Sequence, residues 1–215
     1  SSSNTITPQG ITEAFDKAKR NKIYDPDFYS LPEPVGKSVL ENYHDPAVME
    51  IRDEAIVDLG WRGLKGAITE YNQKQFNKSI IIGGDITILK ERMAIASTKG
   101  MNDWDESTVL TANITSMIEM EKVKGTGWNT STHISCFSPE EAGRESAESA
   151  IRTRGGDRIS SGTYDVIFGK QPVTDLFANI VIPALSLSSI NTSDTPFLGK
   201  LGQKISSELL TVYDD

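Results

Sequence analysis

Two hydrophobic periods alternate along the chain and divide it into elements. In "TPQGITEAFDKAKRNK", Ile11, Phe15 and Ala18 recur at i, i+4 and i+7, which predicts a short amphipathic helix. In "DPAVMEIRDEAIVDLGWRGLKGAITEYNQ" the helical period runs further, through Val48, Ile51, Ala55, Leu59, Leu64, Ile68 and Tyr71. Asp45 suits the N-cap of this predicted long helix and Pro46 its first position. Gly60, Gly63 and Gly66 fall three apart within it. Each weakens a helix by roughly 1 kcal/mol relative to alanine, and such a row allows another backbone to come close.

From Lys78 to Glu121 the period shortens to two. "KSIIIGGDITILKERMAIASTKG" predicts short isoleucine-rich strands, broken at Gly83-Gly84 and stopped at Gly100. In "STVLTANITSMIEMEK", Leu110, Ala112 and Ile114 alternate with Thr111, Asn113 and Thr115, the pattern of a strand with one buried and one solvated face. Strands joined by short turns predict an antiparallel meander.

Helical spacing returns in "SPEEAGRESAESAIRTRGG". Ser138 and Glu141 have the spacing of a capping box, Pro139 takes the first helical position, and Arg152 and Arg154 precede the Gly155-Gly156 stop. "YDVIF" then predicts a strand. An apolar helix follows, with Asn179 as the polar group in its middle and Pro183 interrupting it, and "LLTVY" predicts a last strand. Between the first two helices lies "YDPDFYSLPEPVGK", whose three prolines exclude a helix. It is predicted as an extended segment resting on a neighbour through Tyr24, Phe28, Tyr29 and Leu31. Strands clustered in the middle of the order place the chain in the α+β class, an antiparallel or mixed sheet with packed helices.

Composition narrows the function classes. The 215 residues carry 30 acidic and 22 basic side chains, a formal charge of −8. Phosphate backbones attract cationic surfaces, so direct nucleic-acid binding is not expected. No run approaches the ~18 apolar residues of a membrane span, and "SSSNTITPQG" lacks the basic and apolar regions of a signal peptide. The single cysteine, Cys136, forms no internal disulfide, and a cytoplasmic location is expected.

Candidate chemistry is sparse. His133 and Cys136 have the spacing of a zinc ligand pair, but no second pair completes four ligands. Asp103, Asp105 and Glu106 lack the pattern of a calcium loop and read as a solvated turn. Gly199-Lys200-Leu201-Gly202 has the spacing of a backbone-clamping GxxG loop. A strand-like "PFLG" precedes it where that module needs a helix, so the glycines read as backbone-shaping. Spacing and composition alone describe an α+β domain without an evident catalytic set.

The C-terminal third carries a resemblance. "SGTYDVIFGKQPVTDLFANIVIPALS", followed by "FLGKLGQKISSELLTVYDD", is similar to the TldD/PmbA family of zinc metallopeptidases and companion subunits, also called modulators of DNA gyrase. The matching residues include Gly162, Tyr164, Phe168, Gly199, Lys200, Gly202, Gln203 and Asp214. "DPDFYSLPEP" and "SPEEAGRESAESAI" agree more loosely, in the family's order. The resemblance implies a boundary near residue 160: an N-terminal and middle region over 1–160, and the start of the family's C-terminal domain over 161–215, with the chain shorter than the family at both ends. Proteolytic members carry H-E-x-x-x-H on the helix after "V-x-F". Those positions here run from Ala178 and Asn179 to Pro183, so the resemblance implies no catalytic and no metal-binding residue in this chain.

That is the pattern of the PmbA (TldE) branch. It implies a non-catalytic partner of a TldD-like metallopeptidase that degrades or matures peptides. No cofactor is expected in this chain, zinc is expected only in the partner, and the partner is a TldD-like subunit or a second copy. Peptide substrate would be reached through the complex. Two other readings stay open: an interaction protein of the gyrase-modulator kind without a role in proteolysis, and a metallopeptidase whose ligands lie outside this segment.

Overall fold

The computed structural model describes residues 1–26, 28–36, 42–74 and 79–213. Helix α1, Pro8–Arg20, begins where Thr7 Oγ1 accepts a hydrogen bond from the Gly10 amide at 3.2 Å. The predicted long helix is two: α2, Pro46–Met49, and α3, Asp53–Gln73. Asp45 caps α2 as expected, its Oδ1 accepting from the Ala47 amide at 2.9 Å. The break has a visible cause. The Lys90 ammonium donates to the Met49 and Ile51 carbonyls, at 3.0 and 3.4 Å, and takes the acceptors that a continuing helix would use. Arg52 then turns extended before Asp53 and Glu54 restart the helix.

Three antiparallel strands follow in the order β1-β2-β3: β1 Ile80–Ala96, β2 Asn102–Ile118 and β3 Val123–Ser131. The meander is as predicted, but Gly83-Gly84 does not break β1. A Cβ at Gly84 would run into the Asn113 carbonyl oxygen of β2, so this glycine permits a close cross-strand approach. β3 escaped the sequence reading because Gly125 and Gly127 sit where its inward apolar residues would have marked the alternation.

Those two glycines set the packing. α4, Pro139–Arg152, lies across the same face of the sheet, and a Cβ at Gly125 or Gly127 would strike the α4 backbone at Ala150, Ser146 or Ala142. α4 answers with a buried stripe of Pro139, Ala142, Gly143, Ser146, Ala147 and Ala150. Against α3 the contact is as close, since a Cβ at Gly66 would meet the Glu140 carbonyl and one at Gly143 the Gly63 carbonyl. The predicted glycine row of α3 therefore does seat a neighbouring backbone. The capping box, however, does not form. The Ser138 amide donates to Asn129 Oδ1 at 3.0 Å, and Glu141 Oε2 accepts from Arg144 Nε at 2.9 Å.

The core lies between sheet and helices in two clusters. One gathers Val48, Leu59, Leu110, Ile114 and Phe137, the other Ala67, Tyr71, Ile118, Ala147 and Ala150. β2 supplies its spine: Leu110, Ala112 and Ile114 face inward as predicted, joined by buried Thr108, Ser116 and Ile118. Ser116 and Ser146 satisfy each other across the interface, Oγ to Oγ at 2.7 Å.

Outside residues 42–156 the picture changes. Tyr164–Phe168 and Leu209–Tyr213 form no strand, contrary to the reading of "YDVIF" and "LLTVY". Both lack a cross-strand partner among the described residues, and an extended segment without one leaves its backbone polar groups to water. The β3 edge is engaged elsewhere, with the Trp128 amide facing Glu145 Oε2 at 3.5 Å. Tyr24, Phe28, Tyr29 and Leu31 of the proline-rich segment are exposed, not buried against a neighbour as expected.

Candidate functional site

The helix singled out by the motif comparison runs as α5, Lys170–Leu176, a π-helical turn, Phe177–Val181, and α6, Ile182–Leu185. A short helix, α7, Leu187–Asn191, follows. Pro183 explains the π turn. Proline has no amide proton to donate to the carbonyl four residues back, which is that of Asn179, and its ring crowds that carbonyl. Widening the turn relieves the crowding, and the Ile182 amide reaches back five residues to Phe177. The helix therefore continues through Pro183 instead of stopping there.

Ala178, Asn179 and Pro183 all lie at or beside this wide turn. Ala178 and Pro183 have no side-chain ligand atom. The Asn179 amide group turns back on its own helix, Nδ2 donating to the Asp175 carbonyl at 2.9 Å. This donor set does not fit a zinc ion, which takes thiolate, imidazole or carboxylate ligands. Among the described residues no group of three or more His, Cys, Asp and Glu is placed to hold a metal.

The Gly199–Gly202 turn after this helix is built by its glycines. The Lys200 amide donates to the Phe197 carbonyl at 3.0 Å, and the Gln203 amide to the Lys200 carbonyl at 2.9 Å. These are two consecutive β-turns sharing Lys200. Gly199 and Gly202 are their third residues, with φ of 70° and 76°, where L side chains are disfavoured. The backbone-shaping reading of the pair thus describes its geometry. Gln203 Nε2 closes the first turn on the Gly199 carbonyl at 3.3 Å. Upstream, Tyr164 Oη donates to the Ser160 carbonyl at 2.6 Å and its ring lies over Gly162. Phe168 is exposed just before α5, and Asp214 lies outside the described residues.

Between the wide turn and residues 203–212 runs an apolar groove of about 800 Å³, lined by Leu176, Phe177, Val181, Leu185, Phe197 and Leu210 among others. Ile180 and Ile182 point away from it and are more than half exposed. This helix is not buried in the chain, and its apolar side chains are open on both sides.

A second polar assembly was not foreseen. Both histidines of the chain approach one buried aspartate. Asp45 Oδ2 accepts from the Ile134 amide at 2.9 Å, and the Asp45 amide donates to Thr108 Oγ1 at 2.9 Å. Thr108 Oγ1 passes the chain on to the Thr132 carbonyl at 2.8 Å. Next to it, Thr132 Oγ1 lies 2.9 Å from His133 Nδ1 and 2.7 Å from the Asn42 carbonyl. His44 Nε2 sits 3.2 Å from Glu106 Oε2, and Tyr43 Oη donates to Asp105 Oδ1 at 2.7 Å. The backbone bond from Ile134 holds the Asp45 carboxyl below its ordinary range, against the opposing effect of burial, helped by the Ala47 amide and the two histidines.

This cluster ties residues 42–45 to the first half of β2 and to the residues just after β3. Its partners are up to 90 residues apart in sequence, so spacing alone carries no sign of it. The His133 and Cys136 pair separates chemically: His133 faces Thr132, while Cys136 Sγ is exposed beside Ser135 Oγ at 3.8 Å. Among the described residues no helix is long and apolar enough to cross a membrane.

Residues 161–215 match the family model described as the PmbA/TldA metallopeptidase C-terminal domain. An uncharacterized protein of Methanocaldococcus jannaschii is 23% identical over 176 residues, 81% of this chain and 41% of that protein. Among solved structures, a candidate modulator of DNA gyrase from Bacteroides thetaiotaomicron superposes with a TM-score of 0.71 at 16% identity, covering 93% of this chain and 44% of that one. A second such candidate, from Thermotoga maritima, gives 0.70 at 17% identity, covering 89% and 43%. TldE from Thermococcus kodakarensis gives 0.63 at 16% identity, covering 89% and 42%. The chain spans less than half the length of each of these relatives.

Proposed function

We propose that this chain, whose fold and C-terminal segment are of the TldD/PmbA kind, is a non-catalytic, PmbA/TldE-like subunit that works beside a TldD-like metallopeptidase in the breakdown or maturation of peptides. The observation that carries the reading is the wide turn. On the motif resemblance Ala178, Asn179 and Pro183 stand where proteolytic members carry their zinc motif, and the Asn179 amide group is turned onto the Asp175 carbonyl. On this reading zinc and the attacking water belong to the partner. The chain supplies an apolar groove beside the former motif helix and a large exposed apolar surface, the mark of a contact site. A TldE fold at a TM-score of 0.63 supports the assignment to that branch.

A gyrase-modulator role draws support only from the names of two similar structures, and it shares the requirement for an interaction surface. Co-purification of the full-length protein with a TldD-like subunit separates the two. The subunit reading expects a stable pair that cleaves peptides, with zinc in the TldD-like chain. It also expects Asn179→Ala to leave the cleavage rate unchanged. Loss of cleavage in Asn179→Ala with an unaltered melting temperature would show that this helix performs chemistry, and would overturn the reading.

A further inference from the structure

β3 stops short of the start of β2, and residues 42–45 take its place there. The last β2–β3 pair joins Leu110 to Ser131. Nearer the start of β2, the Thr108 amide donates to the Tyr43 carbonyl at 3.2 Å. Asn42 turns the chain onto this edge in the left-handed region, with φ of 64°, a conformation in which asparagine is enriched. The Asp45 amide, the Asp45 carboxyl, the Tyr43 hydroxyl and the Asn42 carbonyl bind Thr108, Ile134, Asp105 and Thr132 in turn.

The His44 side chain is held differently. Its Nε2 is buried and makes no hydrogen bond among the described residues. Glu106 Oε2 stands 3.2 Å away, within reach of an ion pair but off the line of a hydrogen bond, and the two side chains are only 27% and 20% exposed. With the imidazole neutral, Nε2 is a buried polar atom without a partner, which costs free energy. With the imidazole protonated, the same contact is an ion pair. The surrounding charges favour the second state. Asp45, Asp105 and Glu106 face one guanidinium, that of Arg92 on β1, which pairs with Glu106. Lys90, opposite Thr108 in the register, turns its ammonium to the Met49 and Ile51 carbonyls, and Glu91 accepts from Ser107 Oγ. His133 donates from Nδ1 to Thr132 Oγ1, because that hydroxyl gives its own proton to the Asn42 carbonyl.

We propose that residues 42–45 form a proton-operated clasp: protonated His44, paired with Glu106, closes the segment onto β2, and loss of that proton loosens it and frees the β2 edge at Thr108. Imidazole is the side chain that changes charge between about pH 5 and 8. The clasp is therefore tightest at the acid end of that window and weakens as the pH rises through it. The Asp45 carboxyl, held below its ordinary range, stays ionised throughout and anchors the segment at both ends of the window. The proposal stands independently of the subunit reading above, because no residue of the clasp lies on the motif helix.

Amide hydrogen exchange followed by NMR tests it in the full chain, each rate being divided by the intrinsic rate at the same pH. Between about pH 6 and about pH 8, protection of the Thr108 and Ile134 amides, whose acceptors are the Tyr43 carbonyl and the Asp45 carboxyl, should fall about 5-fold. Protection of the Ile114 amide, in the middle of β2, should stay constant. His44→Gln keeps an N–H donor without a titrating charge and should make both clasp amides indifferent to pH. Glu106→Gln removes the partner carboxylate and should do the same. His133→Asn retains the donor to Thr132 and should preserve the fall. Constant protection of the clasp amides in the wild type, an equal fall at Ile114, a fall that persists in His44→Gln or Glu106→Gln, or one that vanishes in His133→Asn would each overturn the proposal.

Discussion

Compare α4 with the helix through the wide turn. α4 reads PEEAGRESAESAIR, with a single large aliphatic residue, yet six of its residues are buried. The segment LFANIVIPAL is mostly large and apolar, yet contains no buried residue. Hydrophobicity therefore does not by itself decide which helix enters the core. α4 enters because its small residues meet Gly125, Gly127, Gly63 and Gly66, so backbones approach to contact and many weak dispersion contacts add up. Among the described residues no surface covers the apolar helix closely enough to bury it. The same division separates residues 42–156, which hold both core clusters, from the segments on either side, where Tyr29, Ile167, Leu201 and Leu209 are almost fully exposed.

That contrast can be broken or sharpened by experiment. The largest expected effect is proteolytic. Limited digestion should cut within residues 21–36 and 157–168 orders of magnitude faster than within the strands and α4. Mass spectrometry should find a fragment close to 42–156 that retains its circular dichroism. Equal survival of the flanking segments would erase the distinction.

Next is the helix seat. Gly127→Ala places a methyl group against the Ala142 carbonyl and should cost about 3 kcal/mol, at the upper end for overpacking. Gly60→Ala, at the open end of the α3 glycine row, should instead raise stability by roughly 1 kcal/mol through helix propensity. Thermal or urea unfolding reads both, and opposite signs are required.

Asp45→Ala removes a helix cap and leaves the part-buried Ile134 amide without its acceptor, which should cost about 2 kcal/mol. The pH dependence follows from the same carboxyl. Its folded pKa lies below the unfolded value, so its contribution is complete above that unfolded value, near 3.8, and is lost as pH falls through the folded one. Urea midpoints of wild type and Asp45→Asn, measured downwards from pH 6, should converge below about pH 4.

The smallest effect concerns the apolar helix. Packing inside a core would make Val181→Asp severe, but Val181 is half-buried and its neighbours are open. In this chain Val181→Asp and Asn179→Ala should each change stability by no more than about 0.5 kcal/mol. In a reconstituted pair, Val181→Asp should weaken association if the exposed face is a contact surface, and the difference between the two settings measures that role.

Where residues are close in sequence, the sequence alone determined the outcome. The Asp45 cap, the inward Leu110, Ala112 and Ile114, the antiparallel meander and the turn-forming Gly199 and Gly202 all rest on local sterics and a period of two. Tertiary structure decided the rest. The Lys90 ammonium divides α2 from α3 across 39 or more residues, Asn129 displaces the expected capping box, and Gly83-Gly84 tightens a strand pair that local propensity would interrupt. Neither "YDVIF" nor "LLTVY" becomes a strand, although each has the composition of one, because a strand exists only through hydrogen bonds to another. The gathering of His44, Asp45, Glu106 and His133 was equally invisible, since only the folded path of the chain brings those four side chains together.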